Sequence, residues 1–258
     1  MAFSALIHKL DTRFLNGKIE RRNREHREDT ETTMVQERFE YRFTVSYNQD
    51  THSVLAELCD KYGSDKGSLT TWGHSYPWHP HTYTDFYSRL FDHCRLGVKR
   101  VFECGLGTND PSLLSSMGDA GKPGASLRVW RDYFPNAQIY GADIDKHILF
   151  EDERINTFFV DQTDPDIIMN LWEQVDAADF DFMIDDGLHT FEAGVCLLEH
   201  SVAKLAKHGI YVIEDVKAAD LSLFQEYFAK YPYNVEFVNL FRRDTRIPWN
   251  SLIIVRRS

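Results

Sequence analysis

Residues 180–189 have the sequence FDFMIDDGLH, and residues 210–215 have the sequence IYVIED. Both are apolar runs of strand length. Between them, residues 191–206 carry apolar side chains three or four positions apart, as a helix that covers a sheet requires. Strand, helix and strand in this order predict a βαβ unit, in which the two strands lie parallel in one sheet.

Both strands of this unit end in a pair of acids. The four acids are Asp185, Asp186, Glu214 and Asp215. The carboxyl ends of parallel strands meet at one edge of a sheet, so these acids are expected to converge beside His189. Carboxylates gathered next to an imidazole predict a metal site or an acid/base centre.

The same alternation of strands and helices continues through the chain from residue 100 onward. Predicted strands lie near residues 101–104, 138–144, 157–161, 180–185, 210–215, 235–240 and 252–255. Predicted helices span residues 127–134, 165–175, 191–206 and 221–231. The pattern predicts an α/β fold with a doubly wound, Rossmann-like sheet of seven largely parallel strands. In such sheets, ligands bind beyond the carboxyl ends of the strands.

Composition sets bounds on the class of protein. The chain has 258 residues, of which 43% are hydrophobic, enough for one large core in a domain over residues 51–258. Its formal net charge of -11 disfavours nucleic acid as a partner, because phosphate binding draws on clustered Lys and Arg. A small-molecule substrate fits this charge better.

The cysteines and the N-terminal residues of the sequence indicate the cellular compartment of the protein. The four cysteines are Cys59, Cys94, Cys104 and Cys196, which are far apart and form no metal-like pairs. They are predicted to be reduced thiols of a cytoplasmic protein. The apolar stretch at residues 2–7 is too short for a membrane span, and none is expected.

Residues 1–50 differ in composition from the rest of the chain. Residues 18–31 in particular are rich in Arg and Glu and poor in apolar side chains. We expect a charged helical appendage, either a solvated helix or frayed tail, or an arm that covers substrate or joins subunits. This arm, together with many aromatic residues, favours a homo-oligomer.

The first predicted strand ends in a glycine turn. Glu103, Gly105 and Gly107 place an acid and two residues without Cβ where the backbone must pass close to a cofactor. Asp143 ends the second strand, where a doubly wound fold holds a ribose diol. Together they predict an adenosine-containing cofactor. A nicotinamide dinucleotide is disfavoured, because no third glycine follows Gly107 and the next helix is delayed until Ser126.

Several motifs, spread over roughly residues 56–255, carry a resemblance to a known family. They are Lys61-Tyr62-Gly63-Ser64-Asp65-Lys66, His81-x-Tyr83-Thr84, Glu103-x-Gly105-x-Gly107, ASLRVWRDYFP at 125–135, Asp161-Gln162 and Asp185-Asp186-Gly187-x-His189. In these motifs the chain resembles the class I S-adenosylmethionine-dependent methyltransferases, and within them the sugar O-methyltransferases of the macrocin and mycinamicin type. Similar proteins also occur in capsule and surface-polysaccharide gene clusters.

The resemblance implies an S-adenosylmethionine pocket at the first three strand ends. The residues expected to form it are Glu103, Gly105, Gly107, Ser126, Asp143, Asp161 and Gln162. Asp161 and Gln162 would meet the adenine edge, although the same pair also suits an ordinary turn. Ser64 and Lys66 are candidates for the cofactor carboxylate or for a substrate phosphate.

The resemblance also implies a divalent cation, usually magnesium, at the ends of the fourth and fifth strands. Magnesium prefers oxygen ligands, and Asp185, Glu214 and Asp215 are the predicted set. Asp186 is either a fourth ligand or an orienting group. His189 is the predicted general base, because imidazole titrates near neutral pH. A capped, solvated turn is the alternative for the Asp-Asp-Gly sequence.

The acceptor is expected to be a sugar, for which His79, His81 and Tyr83 are the predicted contacts. Residues 72–81 are unusually rich in aromatic and imidazole side chains, and they form either a lid over the sugar or a satellite hydrophobic cluster. A zinc site from His74, His79 and His81 would lack a recognised spacing.

A nucleotide-linked or surface-polysaccharide sugar is the favoured acceptor class, and this preference follows from the resemblance. A macrolide or a phenolic natural product is the alternative acceptor. Two other functions are kept open: an oxidoreductase or hydroxylase on the same fold, and a non-catalytic partner subunit that retains the nucleotide pocket.

Overall fold

The computed structural model describes residues 52–67, 78–240 and 249–257. The predicted appendage at residues 1–50 and most of the predicted lid at 72–81 lie outside the described residues. Within them, one mixed sheet carries helices on both faces, so the α/β prediction is confirmed.

The sheet contains eight strands among the described residues. They are β1 (Arg100–Cys104), β2 (Gln138–Asp143), β3 (Glu151–Asp152), β4 (Ile155–Phe159), β5 (Phe180–Asp185), β6 (Leu205–Ile213), β7 (Tyr233–Asn239) and β8 (Ser251–Arg257). Their order across the sheet is β3-β4-β2-β1-β5-β6-β8-β7. Strands β4, β2, β1, β5 and β6 are parallel neighbours, while β3, β7 and β8 pair antiparallel.

Six α-helices lie in the described part of the chain. They are α1 (Val54–Tyr62), α2 (Tyr83–Phe91), α3 (Ala125–Tyr133), α4 (Pro165–Val175), α5 (Phe191–Ser201) and α6 (Ala218–Phe228). Local sequence explains where several begin. The side chains of Ser53, Asp164 and Thr190 accept hydrogen bonds from the first turns of α1, α4 and α5, and Pro165 suits the first position of α4.

All seven predicted strands are present, and the eighth is the two-residue β3, which forms a short antiparallel ladder with β4. Predicted boundaries differ from the observed ones at several elements, and the largest error lies between α5 and β6. The helix expected to reach residue 206 ends at Ser201, a 3₁₀ turn follows over Val202–Lys204, and β6 begins at Leu205. Val202 and Leu205 are buried in the core. Their three-residue spacing resembles that of a helix, but it arises because both side chains are buried, and the helix itself has already ended.

Apolar side chains fill both faces of the sheet. On one face, Trp130, Tyr87 and Phe134 pack around Phe182 of β5 with ring centroids 5.3–6.3 Å apart. On the other, Trp172 packs against Phe102 and Phe180. This two-sided core makes the sheet a rigid platform for the loops at its carboxyl edge. In the described residues, no helix is long and apolar enough to cross a membrane.

Candidate active site

A cavity of about 730 Å³ opens at the carboxyl edge of the sheet, within the range of small-molecule sites. Thirteen of the fifteen residues predicted from the sequence line it. They are His79, His81, Tyr83, Gly105, Gly107, Ser126, Asp143, Asp161, Gln162, Asp186, His189, Glu214 and Asp215. Glu103 and Asp185 do not line it.

The glycine turn after β1 forms one side of the cavity. Gly105 has φ of +93° and Gly107 has φ of +80°, a left-handed region that favours glycine. A Cβ on Gly105 would overlap the backbone carbonyl of Asp186. The turn is therefore packed directly against the acidic loop that follows β5, and glycine is required there for two separate reasons.

Asp143, at the end of β2, is oriented by backbone amides. Its Oδ2 accepts a hydrogen bond from Leu106 N–H at 2.6 Å, and its Oδ1 accepts one from Asp145 N–H at 2.8 Å. Burial raises the pKa of this carboxyl, against those backbone hydrogen bonds. A carboxylate has about four acceptor positions, so acceptor capacity remains for a hydroxyl donor such as that of a ribose.

Glu103 departs from its predicted place in the cofactor pocket. Its side chain is fully buried behind the cavity wall, where Oε2 accepts a hydrogen bond from Trp130 Nε1–H at 2.8 Å. Oε1 lies 3.1 Å from the Lys66 ammonium. Because Lys66 lines the cavity, Glu103 contacts a residue of the cavity wall without reaching the cavity itself.

Gln162, in the loop after β4, hydrogen-bonds to the end of β5 and to the acidic loop that follows it. Its Oε1 accepts a hydrogen bond from Leu188 N–H at 2.7 Å, and its Nε2 donates one to Asp185 Oδ1 at 3.1 Å. Neighbouring Asp161 accepts hydrogen bonds from the backbone and the hydroxyl of Thr163. The Gln162 amide is thus engaged with protein groups, while both residues still face the cavity.

Asp186, His189 and Asp215 form the acidic end of the cavity. One ligand atom from each lies within 4.8 Å of the other two, and within the described ranges no other group of acids, imidazoles or thiols meets this criterion for an ion site. Nε2 of His189 is 3.3 Å from Oδ1 of Asp186 and 3.8 Å from Oδ2 of Asp215.

The backbone and the charges of this group are both unusual. His189 and Asp215 have φ of +56° and +54°, a conformation that costs free energy in residues other than glycine and is held by the surrounding structure. Burial opposes charge on His189, but hydrogen bonding to Asp186 and the charge of Asp215 outweigh it and raise its pKa to about 9. Burial also disfavours the ionised Asp186, yet Lys66 and His189 hold its pKa well below the usual range.

Asp185 departs from its predicted role as a metal ligand. Its side chain is 3% exposed, and its Oδ1 accepts hydrogen bonds from Gln162 Nε2–H and from Gly187 N–H. Burial raises its pKa to about 6, against those hydrogen bonds. The residue that reaches the cavity is its neighbour Asp186.

Glu214 lies at the cavity wall but is already bound. Its Oε1 accepts a hydrogen bond from the Tyr87 hydroxyl at 2.5 Å, and its Oε2 accepts one from the Lys66 ammonium. Burial raises the pKa of Glu214 despite the nearby lysine. Two of its acceptor positions remain, so the structure leaves it beside the Asp186 group without making it a member.

Two of the three predicted sugar contacts, Tyr83 and His81, lie on the acidic side of the cavity. The Tyr83 hydroxyl hydrogen-bonds to Asp215, and the ring of His81 stacks on Tyr83 with centroids 4.6 Å apart. His81 Nε2 is 3.4 Å from Asp215 Oδ1. His79 is exposed at the cavity. Tyr83 and His81 therefore fix the orientation of the Asp215 carboxylate, whereas the His79 side chain is exposed.

Sequence reasoning missed two residues of this site and gave a third a different role. Lys66 was considered for a cofactor or phosphate contact, but its ammonium is shared by Glu103, Asp186 and Glu214. Tyr87 and Trp249 were not among the predicted residues. Tyr87 hydrogen-bonds to Glu214, and Trp249 lines the cavity with its side chain 52% exposed. Only the short spacing between Tyr83 and Tyr87 on one helix could have pointed to Tyr87.

Two of the curated proteins that the chain resembles are O-methyltransferases by name. The chain is 32% identical to 8-demethyl-8-alpha-L-rhamnosyl tetracenomycin-C 2'-O-methyltransferase of Streptomyces olivaceus, over 66% of this chain and 40% of that protein. It is 32% identical to demethylmacrocin O-methyltransferase of Streptomyces fradiae, over 69% of this chain and 42% of that protein. The chain thus spans about two fifths of the length of these relatives. No protein-family profile matches it.

Solved structures agree with these relatives. MycE methyltransferase from the mycinamycin biosynthetic pathway, in complex with Mg, SAH and mycinamycin VI, is 30% identical with a TM-score of 0.51, over 67% of this chain and 39% of that one. A second MycE complex with Mg and SAH has a TM-score of 0.56 at 22% identity, over 80% of this chain and 54% of that one. The chain has the fold of these methyltransferases, as the resemblance implied.

Proposed function

We propose that this protein transfers a methyl group from S-adenosylmethionine to a sugar hydroxyl with the assistance of a divalent cation. One observation carries the proposal: a single cavity joins the glycine turn and Asp143 to the group formed by Asp186, His189 and Asp215. A cofactor side and an acid/base side in one cavity suit direct transfer between two bound molecules. The O-methyltransferase names of the relatives support it.

The cofactor would lie against the glycine turn. Gly105 and Gly107 have no Cβ, so the protein backbone can approach the cofactor closely. Asp143 offers acceptor positions to a ribose diol, and Ser126 faces the cavity from the first turn of α3. The SAH in the MycE complexes supports this assignment. Asp161 and Gln162 stay predictions for the adenine edge. The Gln162 amide already hydrogen-bonds to Leu188 and Asp185, so Gln162 would contact the adenine by packing.

A divalent cation, magnesium in our proposal, would be held by Asp186 and Asp215, with Glu214 as the adjacent third oxygen ligand. The residues fit, because two carboxylates and an imidazole converge within 4.8 Å at the cavity wall. When bound, the ion supplies charge that acidifies a coordinated hydroxyl. Asp215 is oriented for this task by Tyr83 and His81, and Asp186 by Lys66.

His189 is the proposed general base. Its ring is fixed by Asp186 and Asp215, so its Nε2 is held at the side of the cavity where the acceptor hydroxyl would enter. A cation held by Asp186 and Asp215 would lower the raised pKa of His189, so that the neutral imidazole could take the hydroxyl proton. The acceptor oxygen would attack the sulfonium methyl group as the methyl–sulfur bond breaks, leaving S-adenosylhomocysteine. Asp186 and Asp215 would then stabilise the imidazolium that forms.

The acceptor is proposed to be a sugar, since the first relative named above is, by its printed name, an O-methyltransferase of an alpha-L-rhamnosyl compound. A nucleotide-linked or surface-polysaccharide sugar is our finer proposal, and none of the relatives' names describes such an acceptor. His79, His81 and Tyr83 are the proposed contacts. A homo-oligomeric assembly, a separate domain at residues 1–50 and a cytoplasmic location also stay predictions.

Calorimetric titration of S-adenosylmethionine into the purified protein, with magnesium and again with a chelator, tests the cofactor. We expect saturable binding in both conditions. The protein is then incubated with S-adenosylmethionine, magnesium and a panel of sugar nucleotides, rhamnosides and oligosaccharides, and mass spectrometry detects the added methyl group. A folded sample that binds no S-adenosylmethionine would refute the proposal, and methylation that survives chelation would remove the ion from it.

A further inference from the structure

Lys66 lies at the centre of three carboxylates. Its Nζ is 2.6 Å from Asp186 Oδ2 and 3.1 Å from Glu103 Oε1, and it forms a third ion pair with Glu214 Oε2. The lysine side chain is 3% exposed and both glutamates are fully buried. One ammonium therefore provides the counter-charge for three acids, and the Coulomb attraction of these acids outweighs burial and raises its pKa.

The three acids come from neighbouring strand ends. Glu103 lies in β1, Asp186 follows β5, and Glu214 follows β6, in the order in which those strands lie in the sheet. Glu103 is on the cofactor side with Ser126, while Asp186 and Glu214 face the proposed ion. Lys66 thus reaches both sides of the cavity from outside the sheet.

The segment that carries Lys66 is fixed to the start of α2. His81 N–H donates a hydrogen bond to Asp65 C=O at 2.7 Å, and Thr84 N–H donates one to Lys66 C=O at 3.2 Å. A Cβ on Gly67 would overlap the Thr84 side chain. This close packing fixes the backbone from which the lysine side chain extends.

The two oxygens of Asp186 have different partners. Oδ2 pairs with Lys66, whereas Oδ1 faces His189 at 3.3 Å and belongs to the proposed ion site. Binding one oxygen to a fixed ammonium sets the rotation of the carboxylate and so aims the other oxygen. Glu214 is held in the same way, with Oε2 on Lys66 and Oε1 on Tyr87.

We propose that Lys66 is a positioning residue, which orients Asp186 and Glu214 so that their free acceptor positions face the ion and the acceptor. The inference rests on the proposed metal-assisted transfer and assigns a role that none of the predicted site residues covers. Lys66 is not proposed to touch substrate or to exchange protons. Its ammonium binds one oxygen of each carboxylate and so orients the other oxygen, as supporting groups around metal sites do.

The test compares Lys66→Met, Lys66→Gln and Lys66→Arg with the control Lys61→Met, which changes an exposed lysine of the same segment paired with Asp132. Mn²⁺ alone is titrated into metal-stripped protein and followed by electron paramagnetic resonance, and SAH binding is measured separately by calorimetry. We expect Mn²⁺ affinity to fall at least tenfold in both neutral variants. It should stay within about threefold of wild type in Lys66→Arg and in Lys61→Met.

The possible results separate the two proposals. Wild-type protein that binds SAH but no Mn²⁺ would overturn the metal part of the proposed function, and this role of Lys66 with it. Wild-type Mn²⁺ binding with an unchanged or tighter affinity in Lys66→Gln would overturn only the role of Lys66. Loss of folding in both neutral variants would likewise overturn it, because Lys66 would then be required only for folding. An equal loss of Mn²⁺ affinity in Lys66→Arg and Lys66→Gln would lead to the same conclusion.

Discussion

Asp186 Oδ1 lies 3.3 Å from His189 Nε2, while the carboxylate of Asp185, one residue earlier, accepts hydrogen bonds from Gln162 and Gly187. Two identical side chains at successive positions thus have separate tasks. Asp186 faces the cavity, and Asp185 ties the loop after β5 to the loop after β4.

This division predicts different effects of two matched substitutions. Asp186→Asn removes a proposed ligand charge and the partner of both Lys66 and His189, so we expect kcat to fall at least 100-fold and Mn²⁺ binding to be lost. Asp185→Asn keeps an oxygen that can accept from Gln162 and Gly187, and kcat should stay within tenfold of wild type. Steady-state kinetics and metal titration measure both. Equal losses in the two variants would contradict the assignment of Asp186.

The charge of His189 predicts a pH effect in metal-free protein. Its folded-state pKa is about 9, above the usual 6.5, because Asp186 and Asp215 outweigh burial. Stabilisation by the imidazolium is therefore complete below about pH 6.5 and is lost as pH rises through 9. In chelator, the stability difference between wild type and His189→Gln should shrink over that window, as measured by urea unfolding.

Magnesium gives an independent check of that pH effect. A cation held by Asp186 and Asp215 would compete with the imidazolium for the same charges, so adding Mg²⁺ should lower the His189 pKa seen by NMR titration of its ring protons. A midpoint near 6.5 in the metal-free protein would show that the two acids do not act on His189 as the structure indicates.

Gly105 offers a test of the contact between the glycine turn and the acidic loop. Gly105→Ala would place a Cβ against the Asp186 carbonyl and also force a left-handed residue, so we expect about 2 kcal/mol or more of destabilisation and loss of SAH binding. Gly118 is a matched control, since it has φ of +63° and open space around its Cβ position. Gly118→Ala should cost about 1 kcal/mol and leave SAH binding intact. Thermal unfolding and calorimetry compare them, and similar costs would argue against the close approach.

Much of this arrangement was predictable from the sequence, for an identifiable reason. Apolar runs of strand length alternate with helical spacing, and parallel strands bring their carboxyl ends to one edge, so the meeting of Asp186, His189 and Asp215 follows from topology. The resemblance supplied the cofactor class that these residues alone left open.

The choice between Asp185 and Asp186 was not predictable in the same way. Successive strand residues point to opposite faces, but both faces of β5 are buried, so hydrophobic alternation does not show which acid faces the cavity. Lys66 was unpredictable for another reason. It is 120 residues from Asp186 and 148 residues from Glu214, and no local pattern pairs residues across such distances.

Trp249 is expected to contribute to binding of the acceptor sugar. Its side chain is 52% exposed at the cavity, and its backbone has φ of +65°, with the carbonyl oxygen 2.9 Å from the Tyr83 hydroxyl oxygen. An exposed indole face can pack against the C–H surface of a sugar ring. Trp249→Ala should raise KM for the acceptor about tenfold, change kcat less than threefold and leave SAH affinity unchanged. Trp249→Phe, which keeps an aromatic face, should restore most of the loss. A KM unaffected by Trp249→Ala would place the sugar elsewhere in the cavity, and an equal loss of SAH affinity would show that the indole supports the cofactor side instead.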